Sequence, residues 1–333
     1  MSNPVKRIFP LGFPWETQDP FLFCVYHLDH YPKGNSAMEP DVSLEGRNLG
    51  NDFTIKDGWR MYHGHTIPGF PYHPHRGFET VTIVNKGYCD HSDSLGAAGR
   101  FGQGDVQWMT AGRGVQHSEM FPLLNTDKDN PLELFQIWIN LPKTDKFVDP
   151  HFKMLWHEDI PLVKINNTTV KIIAGSYSGT PAPDPAPNSW AANSDNEVAI
   201  WNIHMDENES FNLPPASANL NRTLYYYDGA EVKIGEQLIK PNHGVELNSD
   251  AEVTLENGSK KSHFLVLQGK PINEPVAKYG PFVMNTQLEI QQAMEEYRLT
   301  QFGGWPWPHA DNVHPREKGR FAKYPNGDVV ERE

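Results

Sequence analysis

The sequence is poor in cysteine and in positive charge. Only two cysteines, Cys24 and Cys89, occur among the 333 residues, and 29 Lys and Arg residues stand against 42 Asp and Glu, a net charge of −13. Both cysteines lie inside β-like runs, which predicts two buried, reduced thiols rather than a disulfide. The negative charge disfavours direct binding to nucleic-acid phosphate or to anionic lipid.

Long apolar runs are also missing. No stretch approaches the roughly twenty apolar residues that cross a bilayer, and residues 1–15 lack a basic region followed by an apolar core. We therefore expect a cytoplasmic protein that binds neither a membrane nor nucleic acid directly. A protein partner remains open, because an acidic surface does not exclude one.

What the chain has instead is turns and short β-prone runs. There are 28 prolines and 27 glycines, and runs rich in aromatic and β-branched residues lie between them, at 21–26, 134–139, 170–173 and 224–227. This pattern predicts an all-β protein. The last run ends at Asp228-Gly229, which predicts a hairpin turn.

One helix is predicted near the carboxyl end. Thr286 and Glu289 form a capping box, and the apolar residues that follow are spaced at helical intervals. They are Ile290, Ala293, Met294 and Tyr297, and Gly303-Gly304 should end the helix.

Two histidine-containing segments suggest a metal site. Successive side chains of a strand point to opposite faces, so His73 and His75 share a face, as do His117 and Glu119. On facing strands they could present three imidazoles and a carboxylate to one point. These ligands suit divalent iron, manganese, cobalt, nickel, copper or zinc, and the absence of thiolate argues against a soft metal. An ion that accepts six ligands would keep two positions for water, substrate or dioxygen.

Spacing alone does not identify the ligands, because His63-Gly64-His65 has the same spacing. The surrounding residues separate the two pairs. A β-prone run at 78–84 follows His75, whereas His63 and His65 lie beside glycines and a proline that indicate a loop. Gly112 and Gly114 would allow a tight reversal before His117.

Residues 69–119 resemble the pirin family of cupin proteins. The resemblance rests on His73-Pro-His-Arg-Gly-Phe-Glu-Thr-Val-Thr82, His91-Ser-Asp-Ser-Leu-Gly96, Gly104-Asp-Val-Gln-Trp-Met-Thr-Ala-Gly-Arg-Gly114, His117-Ser-Glu119 and, near the other end, Tyr279-Gly-Pro-Phe-Val-Met-Asn-Thr286. It implies a metal, usually iron, held by His73, His75, His117 and Glu119. Glu79 occupies the place of the acidic ligand of other cupins. We expect it to be a partner beyond the ligands that orients an imidazole.

The resemblance also implies two tandem cupin barrels, each a double-stranded β-helix. We expect a metal-binding barrel over 1–150, a barrel without metal over 151–275, and a helix with an extended tail over 276–333. No His-x-His occurs after residue 75, which agrees with a vacant second barrel. The proline-rich segment 175–189 is expected to be a loop of that barrel. The tail beyond 304 could dock on the body, dock on a second subunit, or be loosely ordered.

Three functions remain open. Pirins resemble quercetin 2,3-dioxygenases, which open the central ring of a flavonol with O₂ and release carbon monoxide. That similarity predicts an iron-dependent dioxygenase, in which Glu119, if it can loosen from the metal, is the base that takes the substrate hydroxyl proton. The alternative is a redox-sensing regulatory protein that docks on a partner, as pirins of eukaryotes do. A purely structural metal is the third possibility.

Overall fold

The computed structural model describes residues 4–333. In this part of the chain almost every regular element is a strand, and the exceptions are one α-helix and four short 3₁₀ turns. The predicted all-β class is confirmed. No helix among these residues is long and apolar enough to span a membrane.

The first ten strands carry all the residues of the candidate metal site. They are β1 (Val5–Pro10), β2 (Phe21–Tyr31), β3 (Gly69–His75), β4 (Phe78–Lys86), β5 (Tyr88–Asp93), β6 (Ala98–Gly102), β7 (Val106–Thr110), β8 (Val115–Met120), β9 (Asn130–Asn140) and β10 (His151–Leu155).

The remaining elements follow in chain order. They are β11 (Leu162–Ile165), β12 (Thr168–Ala174), β13 (Ser176–Tyr177), β14 (Thr180–Pro181), β15 (Ala199–Met205), β16 (Ser210–Leu213), β17 (Asn221–Asp228), β18 (Val232–Ile234), β19 (Gln237–Ile239), β20 (His243–Leu247), β21 (Val253–Asn257), β22 (Ser262–Gly269), β23 (Ala277–Tyr279), β24 (Phe282–Met284), helix α1 (Gln287–Thr300), β25 (Arg320–Lys323) and β26 (Val329–Arg332).

The chain forms two compact units that are discontinuous in sequence. One, the metal-site unit, contains residues 26–136, 141–157 and 274–333, and the second unit contains residues up to 25, 137–140 and 158–273. Residues 276–333 thus group with the metal-site unit, and the amino-terminal strand β1 pairs with β20 in the second unit. The boundaries at 150 and 275 stay predictions of domain organisation.

The metal-site unit is built on two antiparallel sheets. One has the order β26-β25-β6-β5-β8-β3, and the other has the order β10-β7-β4-β9-β2, to which β9 and β2 contribute residues 130–136 and 26–31. Strand β4 reads Phe-Glu-Thr-Val-Thr-Ile-Val, and its first seven residues are buried. Aromatic and β-branched side chains suit a strand that is covered on both faces. Apolar residues of both sheets form one core, which includes Val84, Cys89 and Phe152.

The second unit is a barrel of similar construction. Its sheets have the orders β1-β20-β17-β22-β15-β12-β11 and β16-β21-β18-β19. Its core includes Ile172, Trp201, Leu224 and Phe264. The proline-rich segment 175–189 lies in this unit, where it forms the two-residue strands β13 and β14 and a loop.

The hairpin predicted at Asp228-Gly229 is wrong. Strand β17 pairs with β20 and β22, whereas the next strand, β18, pairs with β19 and β21 in the other sheet of the unit. The Asp-Gly turn therefore carries the chain from one sheet to the other. Both cysteines are free and buried, as predicted.

Helix α1 begins as its sequence predicts, but it ends at Thr300 with Gln301 as a left-handed C-cap, earlier than the predicted stop at Gly303-Gly304. The Thr286 hydroxyl accepts a hydrogen bond from the Glu289 backbone, and the Glu289 side chain accepts one from the Thr286 backbone. Ile290 and Ala293 are buried, and the partly buried Met294 and Tyr297 complete the apolar face.

The tail beyond the helix docks on the metal-site unit. Strand β25 extends the six-stranded sheet by pairing with β6. The Trp305 ring stacks on Tyr72 with centroids 5.0 Å apart, and Trp307 Nε1 donates to the Asp93 carbonyl at 2.8 Å. Of the arrangements considered for the tail, the structure shows docking on the body.

Candidate metal centre

Three histidine side chains converge between strands β3 and β8. His73 lies directly opposite His117 in the antiparallel pairing, and a register shift between Phe70 and His73 precedes this pair. The ligating nitrogens of His73, His75 and His117 all lie within 4.8 Å of one another. The three histidines of the two segments therefore come together in the structure, whereas Glu119 is not part of this group.

A glycine on each side of the histidines permits this arrangement. Gly77 has a φ of +85°, and a Cβ there would lie 2.0 Å from the Val283 carbonyl oxygen. Gly114, three residues before His117, has a φ of +137°, and its Cβ would meet the Phe302 ring at 2.7 Å. Only glycine fits both the conformation and the close approach.

The hydrogen bond of His73 fixes which of its nitrogens can bind a cation. Nδ1 lies 2.9 Å from the Pro71 carbonyl, which only accepts, so Nδ1 carries the hydrogen and Nε2 keeps a lone pair. His73 Nε2 is 3.1 Å from His117 Nε2. His117 Nδ1 is buried and has no hydrogen-bond partner among residues 4–333. At this distance the Nε2–H tautomer of His117 can donate to the His73 Nε2 lone pair, whereas its Nδ1–H tautomer leaves both Nε2 lone pairs for a cation.

Burial keeps these imidazoles neutral. It lowers the pKa of His73 to about 4 and lowers the pKa values of His75 and His117 well below their usual range, and neighbouring histidines lower them further. Neutral imidazole is the form that binds a metal ion. His73 is partly exposed, whereas His75 and His117 are buried, so solvent reaches the group at His73.

Glu119 lies beside the trio and is held by neighbouring polar side chains. Its Oε2 is 3.8 Å from His117 Nε2 and accepts a hydrogen bond from Gln136 Nε2 at 3.2 Å. The Thr82 hydroxyl lies 2.9 Å from Glu119 Oε1 and 2.6 Å from Gln136 Oε1. Burial raises the pKa of Glu119, while the Thr82 hydroxyl, the nearby His91 and the Gln136 amide counteract the rise.

Glu79 lies among residues of strand β7. Its Oε1 accepts hydrogen bonds from Thr110 Oγ1 at 2.8 Å and from Trp108 Nε1 at 3.2 Å, and the residue is completely buried. An orienting effect of Glu79 on an imidazole stays a prediction.

His91 is a further buried histidine close to the trio, and no role for it was predicted from the sequence. It lies opposite Glu119 in the β5–β8 pairing, and its ring centroid is 5.5 Å from that of His117. Its Nε2 is 3.2 Å from Asp93 Oδ2, and its ring stacks on Phe152. The alternation His91-Ser92-Asp93 could have suggested an inward-facing pair, but only the strand pairing shows which residues it faces.

A cluster of aromatic rings adjoins His73 through Phe70. The Phe70 ring lies 6.3 Å from His73 and packs against Tyr62, Phe53 and His63. His63 and His65 lie in a turn and are exposed, as their flanking glycines predicted. His65 is not part of the convergent group.

Comparison with known proteins identifies the family. The Pirin family model matches residues 37–139, and the model of the Pirin C-terminal cupin domain matches residues 200–303. The chain belongs to the pirin family. Its fold is accordingly that of two cupin domains with one short carboxy-terminal helix, which confirms the predicted architecture.

Relatives of this pirin carry two kinds of name. Pirin-like protein 2 of Arabidopsis thaliana is 40% identical over 242 residues, 71% of each chain. A Pseudomonas aeruginosa protein provisionally named quercetin 2,3-dioxygenase is 34% identical over 236 residues, 70% of this chain and 79% of the relative. A crystal structure of quercetin 2,3-dioxygenase from Acinetobacter baumannii has a TM-score of 0.69 at 26% identity and covers 91% of this chain and 96% of its own.

Proposed function

We propose that His73, His75, His117 and Glu119 hold a divalent first-row metal ion, with Fe(II) the best candidate and manganese, cobalt, nickel, copper or zinc as alternatives. The proposal rests on three neutral imidazoles whose ligating nitrogens converge within 4.8 Å. Three nitrogens and one carboxylate oxygen suit these ions. Glu119, at 3.8 Å from His117 Nε2, is near enough to join the group by a small side-chain movement.

The reaction that we propose is the cleavage of a flavonol such as quercetin by O₂, with release of carbon monoxide. The observation that carries it is the combination of the imidazole group with aromatic rings next to it, namely Phe70, whose ring centroid lies 6.3 Å from that of His73, and the exposed Phe53, which packs on Phe70. Such rings suit a flat aromatic substrate. Similarity to proteins named quercetin 2,3-dioxygenase supports the same reaction.

In this proposal the bound ion supplies Lewis acidity toward the flavonol oxygens and, if it is iron, a path for electrons. Glu119 takes the proton of the substrate hydroxyl. Burial raises the pKa of this carboxyl group, and Glu119 acts as the base once its oxygen has left the ion. Thr82 and Gln136 hold the carboxylate by hydrogen bonds to its two oxygens.

Oxygen consumption tests the proposed reaction. The apoprotein is reconstituted anaerobically with Fe(II) and mixed with quercetin, and a His73→Ala/His75→Ala variant serves as the blank. We expect O₂ uptake with carbon monoxide release in the wild type and neither in the variant. An absence of uptake despite stoichiometric iron would contradict flavonol cleavage and would favour the redox-sensing regulatory protein. Cytoplasmic location and a protein partner remain predictions.

A further inference from the structure

A cavity in the second unit has the features of a ligand site, although the sequence predicts that this barrel holds no metal. The cavity has a volume of about 450 Å³. This lies within the range of small-molecule sites, roughly 300–1,000 Å³. Its walls are polar and apolar in about equal parts, and the apolar part includes Val198 and Trp201, with prolines from the loops that contain Pro183 and Pro214.

A buried arginine lies on the interior face of the barrel at this cavity. Leu224 and Tyr226 of β17 are core residues, and strand alternation puts Arg222 on the same face. Gln268 follows core residue Val266 on β22 by the same rule. Arg222 is only 1% exposed, and both polar residues line the cavity. The apolar interior of the barrel thus carries a cationic side chain, Arg222, at the cavity.

The hydrogen bonds of Arg222 leave part of its guanidinium unused. Nε donates to Gln268 Oε1 at 2.6 Å, and Nη1 donates to the Pro214 carbonyl at 2.8 Å. Gln268 Nε2 donates to the Glu197 carbonyl at 3.1 Å, which fixes the orientation of the amide. Nη2 makes no hydrogen bond to residues 4–333. Burial lowers the pKa of Arg222 to about 10, so the guanidinium stays charged at neutral pH.

Trp201 supplies an apolar wall of the same cavity. The residue is 3% exposed, and its Nε1 is buried without a hydrogen-bond partner among the described residues. The Arg222 guanidinium, with N–H groups that it does not use within the fold, is suited to a carboxylate, since charge-assisted hydrogen bonds are the strong ones.

Acidic side chains at the cavity restrict the charge of its ligand. Asp184 and Glu197 also line it, and Glu197 Oε2 accepts a hydrogen bond from the Ser217 backbone at 3.3 Å. Glu197 favours the charged form of Arg222 electrostatically. A second negative charge on the ligand would be repelled by these carboxylates. The cavity therefore suits a ligand with no negative charge beyond the one carboxylate that pairs with Arg222.

We propose that this cavity binds a small organic monocarboxylate, with Arg222 as the anion-binding group and Trp201 as an apolar wall. The site is separate from the imidazole group and does not depend on the proposed oxygenase reaction. Benzoate and its neutral isostere benzamide form a matched pair of probes, because they differ in charge and hardly in shape.

The test follows the Trp201 indole N–H signal by NMR in the full chain, labelled with ¹⁵N-tryptophan and loaded with Zn(II). A Trp201→Phe variant identifies this signal among those of the nine tryptophans. We expect benzoate to shift it saturably, and benzamide to bind at least about tenfold more weakly because it lacks the charge. No saturable shift with benzoate, or equal binding of the two probes, would overturn the proposal.

Variants assign the binding to this cavity. Arg222→Met should weaken benzoate binding by at least about tenfold, whereas Lys260→Met, an exposed lysine of the same unit, should leave it unchanged. Binding that survives Arg222→Met would overturn the role of Arg222. If that variant does not fold, the comparison of benzoate with benzamide in the wild type still decides. Benzoate binding should persist in the His73→Ala/His75→Ala chain, which separates this site from the metal centre.

Discussion

At the scale of single residues, His73 and His117 are expected to provide most of the metal affinity. His73→Ala or His117→Ala removes one nitrogen from the convergent group, so each variant should lose most of the bound metal. Mass-spectrometric metal analysis after reconstitution with Fe(II) measures this. His65→Ala is the control, since His65 is exposed and lies outside the group. Metal content equal to wild type in the His117 variant, or a large loss in the control, would contradict the assignment.

Glu119 should affect turnover more than metal content. Glu119→Gln keeps the shape and can still contact Thr82 and Gln136, but the amide cannot accept a proton. We expect this variant to retain more metal than His73→Ala and to lose quercetin turnover by at least about 100-fold, as for removal of a general base. Full activity at equal metal loading would rule out Glu119 as the base.

Substitutions of two threonines of strand β4 test the hydrogen bond from Thr82 to Glu119. The Thr82 hydroxyl lies 2.9 Å from Glu119 Oε1 and lowers its pKa, whereas the buried Thr80 hydroxyl has no hydrogen-bond partner among residues 4–333. Thr82→Val should therefore raise the pKa of Glu119 and move the acidic limb of the pH–activity profile to higher pH. Thr80→Val is the matched control and should leave that limb in place. Identical profiles for the two variants would argue against coupling between Thr82 and the carboxylate.

At the scale of elements, helix α1 is tied to the loop after β3 by Arg76. The buried Arg76 guanidinium donates to Glu296 Oε2 at 2.8 Å and lies 4.5 Å from the centre of the Phe302 ring. The pKa of Glu296 is lowered by this hydrogen bond. A carboxylate with a lowered pKa stabilises the fold above its unfolded-state value, and this stabilisation is lost as pH falls through the lower folded value.

Glu296→Gln should therefore destabilise the protein modestly at neutral pH and hardly at all in strong acid. The Glu296 side chain is 52% exposed, so solvent screening limits the loss at pH 7 to less than about 1 kcal/mol. The difference between variant and wild type in the free energy of unfolding should shrink as pH falls below the ordinary carboxyl pKa of 4.5. Urea unfolding at several pH values measures it, with Glu295→Gln, an exposed neighbour on α1, as the control. A difference in unfolding free energy that grows as the pH falls would contradict the prediction.

The elements also show where reasoning from sequence succeeds. The capping box of Thr286 and Glu289 is local and fixes the start of α1. The two ligand-bearing segments were recognisable because glycines and β-prone runs flank them. The Asp228-Gly229 turn was misassigned because local turn chemistry does not reveal which sheet receives the next strand. The position of His91 depends on the pairing of β5 with β8, which no local pattern in the sequence specifies.

At the scale of the whole molecule, the tail completes the hydrogen bonding of a buried Arg100–Asp90 ion pair, which could not be predicted from the sequence. Arg100 is fully buried and makes a bidentate pair with Asp90, with both hydrogen bonds at 2.7 Å. Its remaining donors reach tail carbonyls, those of His314 at 2.9 Å, Pro315 at 2.9 Å and Lys318 at 2.7 Å. These partners are separated by more than 200 residues of sequence, so composition could not distinguish a docked tail from a loose one.

Removal of the tail should therefore destabilise the metal-site unit strongly. A chain ending at Gly304 loses β25, β26 and the carbonyls that satisfy Arg100, and each buried donor left unpaired costs about 1–3 kcal/mol. A chain ending at Asp328 is the matched control, because it loses β26 but keeps β25 and all three carbonyls. Hydrogen exchange should show lost protection in β5 and β6 for the shorter chain and near-normal protection for the control. Equal protection in both would mean that the tail lies on the sheet without stabilising it.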